Sequence, residues 1–318
     1  MISGNPDDTS VHHDPADHDP ADDDPADHDP VDDDPVDDDA FDWHWTHEGS
    51  DWVPPVVDHG RVSAARVYDY FLDGKDNFAV DRAAAARLEQ IVPDIKPLAQ
   101  ANRAFLSEAV RVMARDHGIR QFIDLGTGIP TSPTVHEVAK DAQSGARVVY
   151  LDANPVVLAH ARAILATEPG TVTLLHDLRD PTAVLDDPQV RAQIDFDQPV
   201  GLLFVAVLHF VAIDLAPTIL AKYCSTAAPG SCIAISVLCR DGSEPDALQV
   251  AEHMYQDSDA TLYARTRAQV EQLFEGWAVA QPGIVDVTHW SKPGGTGWSR
   301  PGGGPIALSV LAGVGVKS

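Results

Sequence analysis

No lysine or arginine occurs before Arg61. The residues ahead of it carry 20 of the 49 acids, so of the formal charge of −27 only −7 belongs to residues 61–318. A segment with no cation repels phosphate, and the remainder shows no basic stripe or nucleic-acid motif, so no nucleic-acid partner is expected. Cysteine is scarce. Cys224, Cys232 and Cys239 are odd in number and lack the paired spacing of a zinc ribbon or redox motif, which fits a reducing compartment and small buried side chains. A long apolar run is also missing. The longest, Val200 to Ile213, is too short to span a bilayer and contains His209, and no basic, apolar leader opens the sequence. A cytoplasmic protein without a membrane partner is the expectation.

Val11 to Ala40 repeats every five residues as VHHDP, ADHDP, ADDDP, ADHDP, VDDDP and VDDDA. Such a segment has little to bury, so it cannot offset about 1–2 kcal/mol per residue of backbone ordering, and its regular prolines favour extended conformations. Residues 1–58 therefore read as a disordered acidic arm. Its Asp and His side chains suit weak binding of divalent cations, but without a fixed scaffold no metal site is expected. Trp43, Trp45 and Trp52, beside Pro54 and Pro55, mark the passage into ordered chain.

Gln121 to Asp152 carries the strongest pattern. Phe122, Ile123 and Leu125 form a short apolar run, Asp124-Leu-Gly126-Thr127-Gly128 follows where a buried parallel strand leaves its sheet, and Arg147 to Leu151 forms a second strand closing on Asp152. Glycine lets a ligand approach the backbone, and an acid at the next strand's carboxyl end can accept hydrogen bonds from ribose hydroxyls. Thr171 to His176 is a third strand, ending in Asp177-Leu178, and Val200 to Leu208 a fourth, ending in His209. Three acids on one carboxyl edge mark the ligand-binding side of an open α/β sheet.

The flanking chain reads as helix, turn and strand. A helix near Ser63 to Phe71 leads into the DGKDN turn, Asp81 is placed to cap a helix from Arg82 to Ile91, and Ala101, Phe105, Ala109 and Val112 recur at helical spacing up to Gly118. Residues 59–118 thus form a helical cap before a core over 119–318. Ser132-Pro133 and Asn154-Pro155 each read as an N-cap followed by proline at the first helical position. Further helices are expected over Pro217 to Ala227 and Thr266 to Phe274. Strands are expected over Ser231 to Val237, Trp277 to Ala280 and Pro305 to Val316.

The order DLGTG, YLDANP, HDLRDP and an apolar strand with LHF resembles the class I S-adenosylmethionine-dependent methyltransferases. RVYDYFLDGKDNFAVDR from Arg66 to Arg82, with NRAFL from Asn102 to Leu106, resembles more narrowly the bacterial S-adenosyl methyltransferase family, once a domain of unknown function; the resemblance covers Ser63 to about Val316. It implies a Rossmann-like α/β fold, with a mostly parallel seven-stranded sheet, helices on both faces and a last strand inserted antiparallel. S-adenosyl-L-methionine is the implied cofactor. Asp124, Gly126, Thr127 and Gly128 match the loop under its methionine part, Asp152 the ribose acid, Ala153 the residue beside adenine, and Asp177 and Leu178 the adenine-edge pair. Tyr68, Lys75 and Asn77 would close over the cofactor. His209 would face the methyl group as general base, its alternative being to fix the loop by hydrogen bonds. Tyr255, Tyr263 and Trp290 lie where an acceptor pocket is expected, or belong to the core.

Pro130 stands where dinucleotide loops carry a third glycine, which disfavours a nicotinamide cofactor. The expected activity is in-line methyl transfer to oxygen or nitrogen of a small molecule. The alternatives are a cofactor-binding regulatory protein without turnover and an NAD(P)-dependent oxidoreductase.

Overall fold

The computed structural model describes residues 58–165, 168–256, 258–290 and 307–318. The acidic arm up to residue 57, its three tryptophans included, and the start of the last expected strand at Pro305 lie outside the described residues.

Five parallel strands, β1 (Gln121–Leu125), β2 (Arg147–Asp152), β3 (Thr171–Leu175), β4 (Gly201–Val205) and β5 (Cys232–Cys239), run in the order β3-β2-β1-β4-β5. Three more extend the sheet: β6 (Ala278–Val279), β7 (Val285–Asp286) and β8 (Ser309–Val316). β8 lies antiparallel to β5, from Cys232 opposite Val316 to Cys239 opposite Ser309, and both short strands pair with β8. Among the described residues the sheet therefore has eight strands and not the expected seven. The extra one is β7, two residues too short to leave an apolar pattern.

Alternation along the strands sends side chains into two cores. Phe122, Val148 and Tyr150 pack into one face with α3 (Ile95–Asp116) and α4 (Val135–Ala142). Ile123, Val149 and Leu151 pack into the other with α6 (Pro181–Asp186), α7 (Pro188–Gln193), α8 (Ala216–Thr226) and α10 (Arg267–Gln272). The chain winds outward from β1 to β3 and returns to β4 at β1's other side. That reversal opens a crevice at the carboxyl ends of β1 and β4.

Among the described residues, three helices precede β1: α1 (Ala64–Phe71), α2 (Ala79–Ile91) and α3. α2 starts earlier than expected, at Ala79, so Asp81 caps it from the third helical position and not as the N-cap residue, which is Phe78. The fully buried Asp81 carboxylate accepts from the N–H groups of Ser63 and Phe78, both 2.9 Å, and from Arg66 Nε at 2.6 Å, so it ties the start of α1 to the start of α2. The helix after β1 likewise begins at Val135, because Thr134 donates its N–H and hydroxyl to Glu137 in a capping box; Ser132-Pro133, a cis peptide, lies ahead of it. α5 (Pro155–Leu165) starts where expected, with Val156 N–H donating to Asn154 Oδ1 at 2.9 Å. α9 (Pro245–Gln256) was not expected; its Ala247, Leu248 and Ala251 join the core shared with α2 and α3.

The apolar run of β4 outlasts the strand. Ala206 turns to φ 56°, its N–H held by the carbonyl and hydroxyl of Ser236 at 3.1 and 2.9 Å, and a 3-10 turn over Leu208–Phe210 follows. A left-handed alanine is uncommon, and this one sits where β4 meets the crevice.

Candidate functional site: the cavity at the carboxyl edge of the sheet

A cavity of about 1050 Å³ opens in the crevice, lined by the carboxyl ends of β1 to β4, by α1, α3 and α9, and by the segment 258–263. Its size is at the upper end for ligand sites and leaves room for two small molecules side by side. Tyr68, Asp124, Gly126, Thr127, Gly128, Asp152, Ala153, Asp177, Leu178 and His209 all line it.

The glycine loop is drawn over the sheet by its own amides. Gly126 and Thr127 donate N–H to Leu151 O at 2.8 and 3.0 Å, and Thr127 Oγ1 donates to Asp124 Oδ2 at 2.8 Å. Gly126 has φ 78° and lies against Val207, whose side chain a Cβ there would strike; a Cβ on Gly128, φ 64°, would meet no atom within 4 Å. Asp152 fixes the loop's far end, accepting from Gly128 N–H at 3.0 Å and Asn154 N–H at 2.8 Å. Burial raises the Asp152 carboxyl. The Asp124 carboxyl is pushed up to about 6, mainly by burial and further by Asp152, against the hydrogen bond from Thr127 and the charge of Arg103. Two acids, Asp124 buried and Asp152 half-buried, thus face one cavity.

Asp177 is already engaged. Its carboxylate accepts from Arg179 Nε at 2.9 Å and from a terminal guanidinium nitrogen at 2.6 Å, and these bonds outweigh burial to hold it below the usual carboxylate range.

Lys75 and Asn77 do not join the cavity. The Asp69 carboxylate draws in the DGKDN turn, accepting from Asp76 N–H at 2.9 Å and Asn77 Nδ2 at 2.8 Å, so buried Asn77 braces the turn while Lys75 is exposed. Tyr68 does line it, and a hydrogen-bond chain sets its hydroxyl. Ala206 N–H donates to Ser236 Oγ, Ser236 Oγ to Asn102 Oδ1 at 2.6 Å, Asn102 Nδ2 to Tyr68 Oη at 2.8 Å, and Tyr68 Oη to Ala99 O at 3.2 Å. The chain joins the ends of β4 and β5 to the helical cap.

His209 sits on the 3-10 turn after β4. Its Nδ1 accepts from Leu238 N–H at 3.4 Å, which leaves the proton on Nε2. Burial, then the charge of Arg265, lowers its pKa to about 3. A neutral imidazole with Nε2 protonated is a donor at that atom, which does not suit the expected general base.

Four residues missing from the expected set shape the site. Arg265, fully buried, donates to Leu208 O and Val211 O, both at 2.7 Å, and holds the turn that carries His209. Arg103 lines the cavity, donates to Thr131 O and to Pro133 O, and has a buried Nε with no hydrogen-bond partner among the described residues. Asp259, also at the wall, accepts from Ala64 N–H at 2.8 Å and Asn154 Nδ2 at 3.2 Å, joining the segment after α9 to α1 and to the loop after β2. Ser236 is the fourth. Arg103 lies within the NRAFL block, whereas nothing local marks the other three. Tyr255 and Tyr263 line the cavity; Trp290 packs edge-on against Phe105 at 4.8 Å in the core.

The S-adenosyl methyltransferase family model matches residues 50–318. A crystal structure of a candidate methyltransferase from Thermobifida fusca is 36% identical, with a TM-score of 0.75, over 84% of this chain and 99% of that one. A DUF574 family protein from Streptomyces avermitilis is 32% identical, with a TM-score of 0.75, over 81% of this chain and 98% of that one. No curated protein matches.

Proposed function

Because this chain belongs to the S-adenosyl methyltransferase family and is an S-adenosylmethionine-dependent methyltransferase, we propose that its cavity holds the cofactor over β1 to β3 and a small-molecule acceptor beside it. The observation that carries this reading is the cavity itself: one compartment reaches from the acids after β1, β2 and β3 to His209 and the helical cap.

The residues present fit the cofactor. The open space at Gly128, the unpartnered Arg103 Nε and the two acids are complementary to a zwitterionic amino acid joined to a nucleoside. Asp152 accepts from the ribose hydroxyls, Ala153 flanks adenine, and Leu178 with Asp177 meets its edge, where Arg179 has to share the carboxylate. Asp124 faces the ammonium and Arg103 the carboxylate of the methionine part. When bound, S-adenosylmethionine supplies an electrophilic methyl group on a sulfonium.

What the protein adds is alignment and exclusion of water, since in-line displacement needs little else. The cap closes the cavity from α1 and α3, and Tyr68 is held in place through Asn102. His209 orients the acceptor by donating from Nε2. Burial of the site inside a walled cavity favours acceptors small enough to enter it over folded proteins or duplex nucleic acid.

Incubation of the protein with labelled S-adenosylmethionine and, in parallel, a panel of small hydroxy- and amino-heteroaromatics, RNA, DNA and protein tests this. Label is expected in small molecules only. A salt-sensitive complex with RNA or DNA that takes up label would overturn the reading.

A further inference from the structure

Charged groups line the cavity mainly in two places. Asp124, Asp152, Asp177, Arg103 and Arg179 lie at or beside the ends of β1 to β3. Asp259, Arg61 and Arg66 belong to the segments at the edge of α1 and are committed to Ala64 N–H, Ser258 O and Asp81 respectively. The apolar wall is Phe71, Leu98 and Leu106 from the helices, Phe210 from the turn after β4, and Leu238 and Val310 from β5 and β8.

Polar side chains along that wall are few and, apart from Asp259 beside Tyr255, uncharged. Tyr68 and Asn102 satisfy each other in the hydrogen-bond chain. His209 is neutral, and burial raises the tyrosine hydroxyls, Tyr255 further still beside Asp259 and Tyr68. The Tyr255 hydroxyl has no hydrogen-bond partner among the described residues. Its ring stands against Phe210 at 5.2 Å and 63°, and Phe210 against His209 at 4.5 Å and 71°. Three tilted rings with centroid spacings of this kind present edges and faces to a further ring.

We propose that this compartment, between Phe210, Tyr255, His209 and Tyr68, is the acceptor subsite, and that it takes an uncharged aromatic molecule whose hydroxyl is bonded by Tyr255. This inference rests on the cofactor reading above. A carboxylate or phosphate on the acceptor would be buried beside the Asp259 charge, while the nearby guanidinium groups of Arg265 and Arg103 are already donating to backbone carbonyls, which weakens its binding. In the transfer, the acceptor oxygen's lone pair forms the bond to the methyl carbon, the pair of the broken carbon–sulfur bond stays on sulfur, and the hydroxyl proton leaves to water. No side chain of the subsite is free to take that proton, so acceptors with an acidic hydroxyl, such as phenols, are favoured over alcohols.

The test is fluorescence titration of 2-naphthol and of 6-hydroxy-2-naphthoate into the protein saturated with S-adenosylhomocysteine, for wild type and for Tyr255→Phe, with S-adenosylhomocysteine affinity measured separately by calorimetry. The neutral naphthol is expected to bind at least about tenfold more tightly than the carboxylate. Tyr255→Phe is expected to weaken it about tenfold while S-adenosylhomocysteine affinity stays unchanged, which also shows the variant folded. Equal or tighter binding of the naphthoate, or no change in Tyr255→Phe, would overturn the subsite while leaving the cofactor reading intact. Failure of S-adenosylhomocysteine itself to bind would overturn both.

Discussion

Asp124→Asn is expected to raise the melting temperature of the ligand-free protein and to weaken S-adenosylmethionine binding at least about tenfold. Asp124 is 5% exposed and its carboxyl is raised to about 6 from 3.8, so the folded chain holds a proton there more tightly than the unfolded chain does. Its charged form is the disfavoured one. Between about pH 4 and pH 6 the native state binds the extra proton, so this group's contribution to stability falls as pH rises through that window and stays low above it. A rise of that size corresponds to about 3 kcal/mol at neutral pH, or roughly 5–10 °C for a body of this size. Asparagine keeps an acceptor for Thr127 Oγ1 and removes the charge. In the proposed binding mode the ammonium of the cofactor faces that charge, so affinity moves the other way. For the same reason wild-type affinity is expected to decline as pH drops below about 6, and Asp124→Asn to lack that dependence. Thermal melts with and without S-adenosylmethionine at about pH 5 and about pH 7.5, on either side of that titration, measure both effects. A variant no more stable than wild type at the higher pH would contradict the assignment.

Arg265→Met is expected to cost about 3–5 kcal/mol and most of the activity. The guanidinium is fully buried with no acid among its described partners, and burial lowers it to about 10, so it remains charged at neutral pH. Carbonyls take the place of a counter-ion: Leu208 O and Val211 O at 2.7 Å, with Tyr263 O and Ala212 O farther off at 3.4 and 3.5 Å. Methionine fills the volume but strands at least two buried acceptors, each worth about 1–3 kcal/mol. The turn that carries His209 and Phe210 loses its anchor, and His209 also loses the neighbouring charge that helps keep it neutral. Chemical denaturation should show the lower midpoint. A loss below about 1 kcal/mol, less than one stranded acceptor costs, would mean that the turn is held by other contacts.

These two residues show what can be read from sequence and what cannot. Asp124, Asp152 and Asp177 were legible because a buried parallel strand leaves a run of apolar residues, and an acid at or near the carboxyl end of such a run falls on the sheet's ligand edge. Arg265 has no such signature. It acts on carbonyls 57 and 54 positions earlier in the chain, brought near because Arg265 bridges to Cys239 at the end of β5, the neighbour of β4. Ser236 and Asn102 meet over 134 positions. Local pattern also failed where two readings shared one composition. The apolar run at 200–208 continues past the end of β4 because Leu208 is buried in a turn, and Asn77, a polar residue of the DGKDN turn, bonds back to Asp69 and does not line the cavity. β7 left no pattern because two residues cannot alternate.

On the reading proposed above, Asp152, the acid that ends β2, and the glycine loop it braces hold the cofactor. Calorimetric titration of wild type and Asp152→Ala with S-adenosylmethionine and S-adenosylhomocysteine, beside NAD and NADP, tests it most directly. Wild type should bind both sulfur compounds and neither dinucleotide, and Asp152→Ala, which loses the ribose acceptor and the brace on Gly128, should bind them at least about a hundredfold more weakly. Unchanged affinity in the folded variant, or binding of NAD or NADP alone, would contradict it.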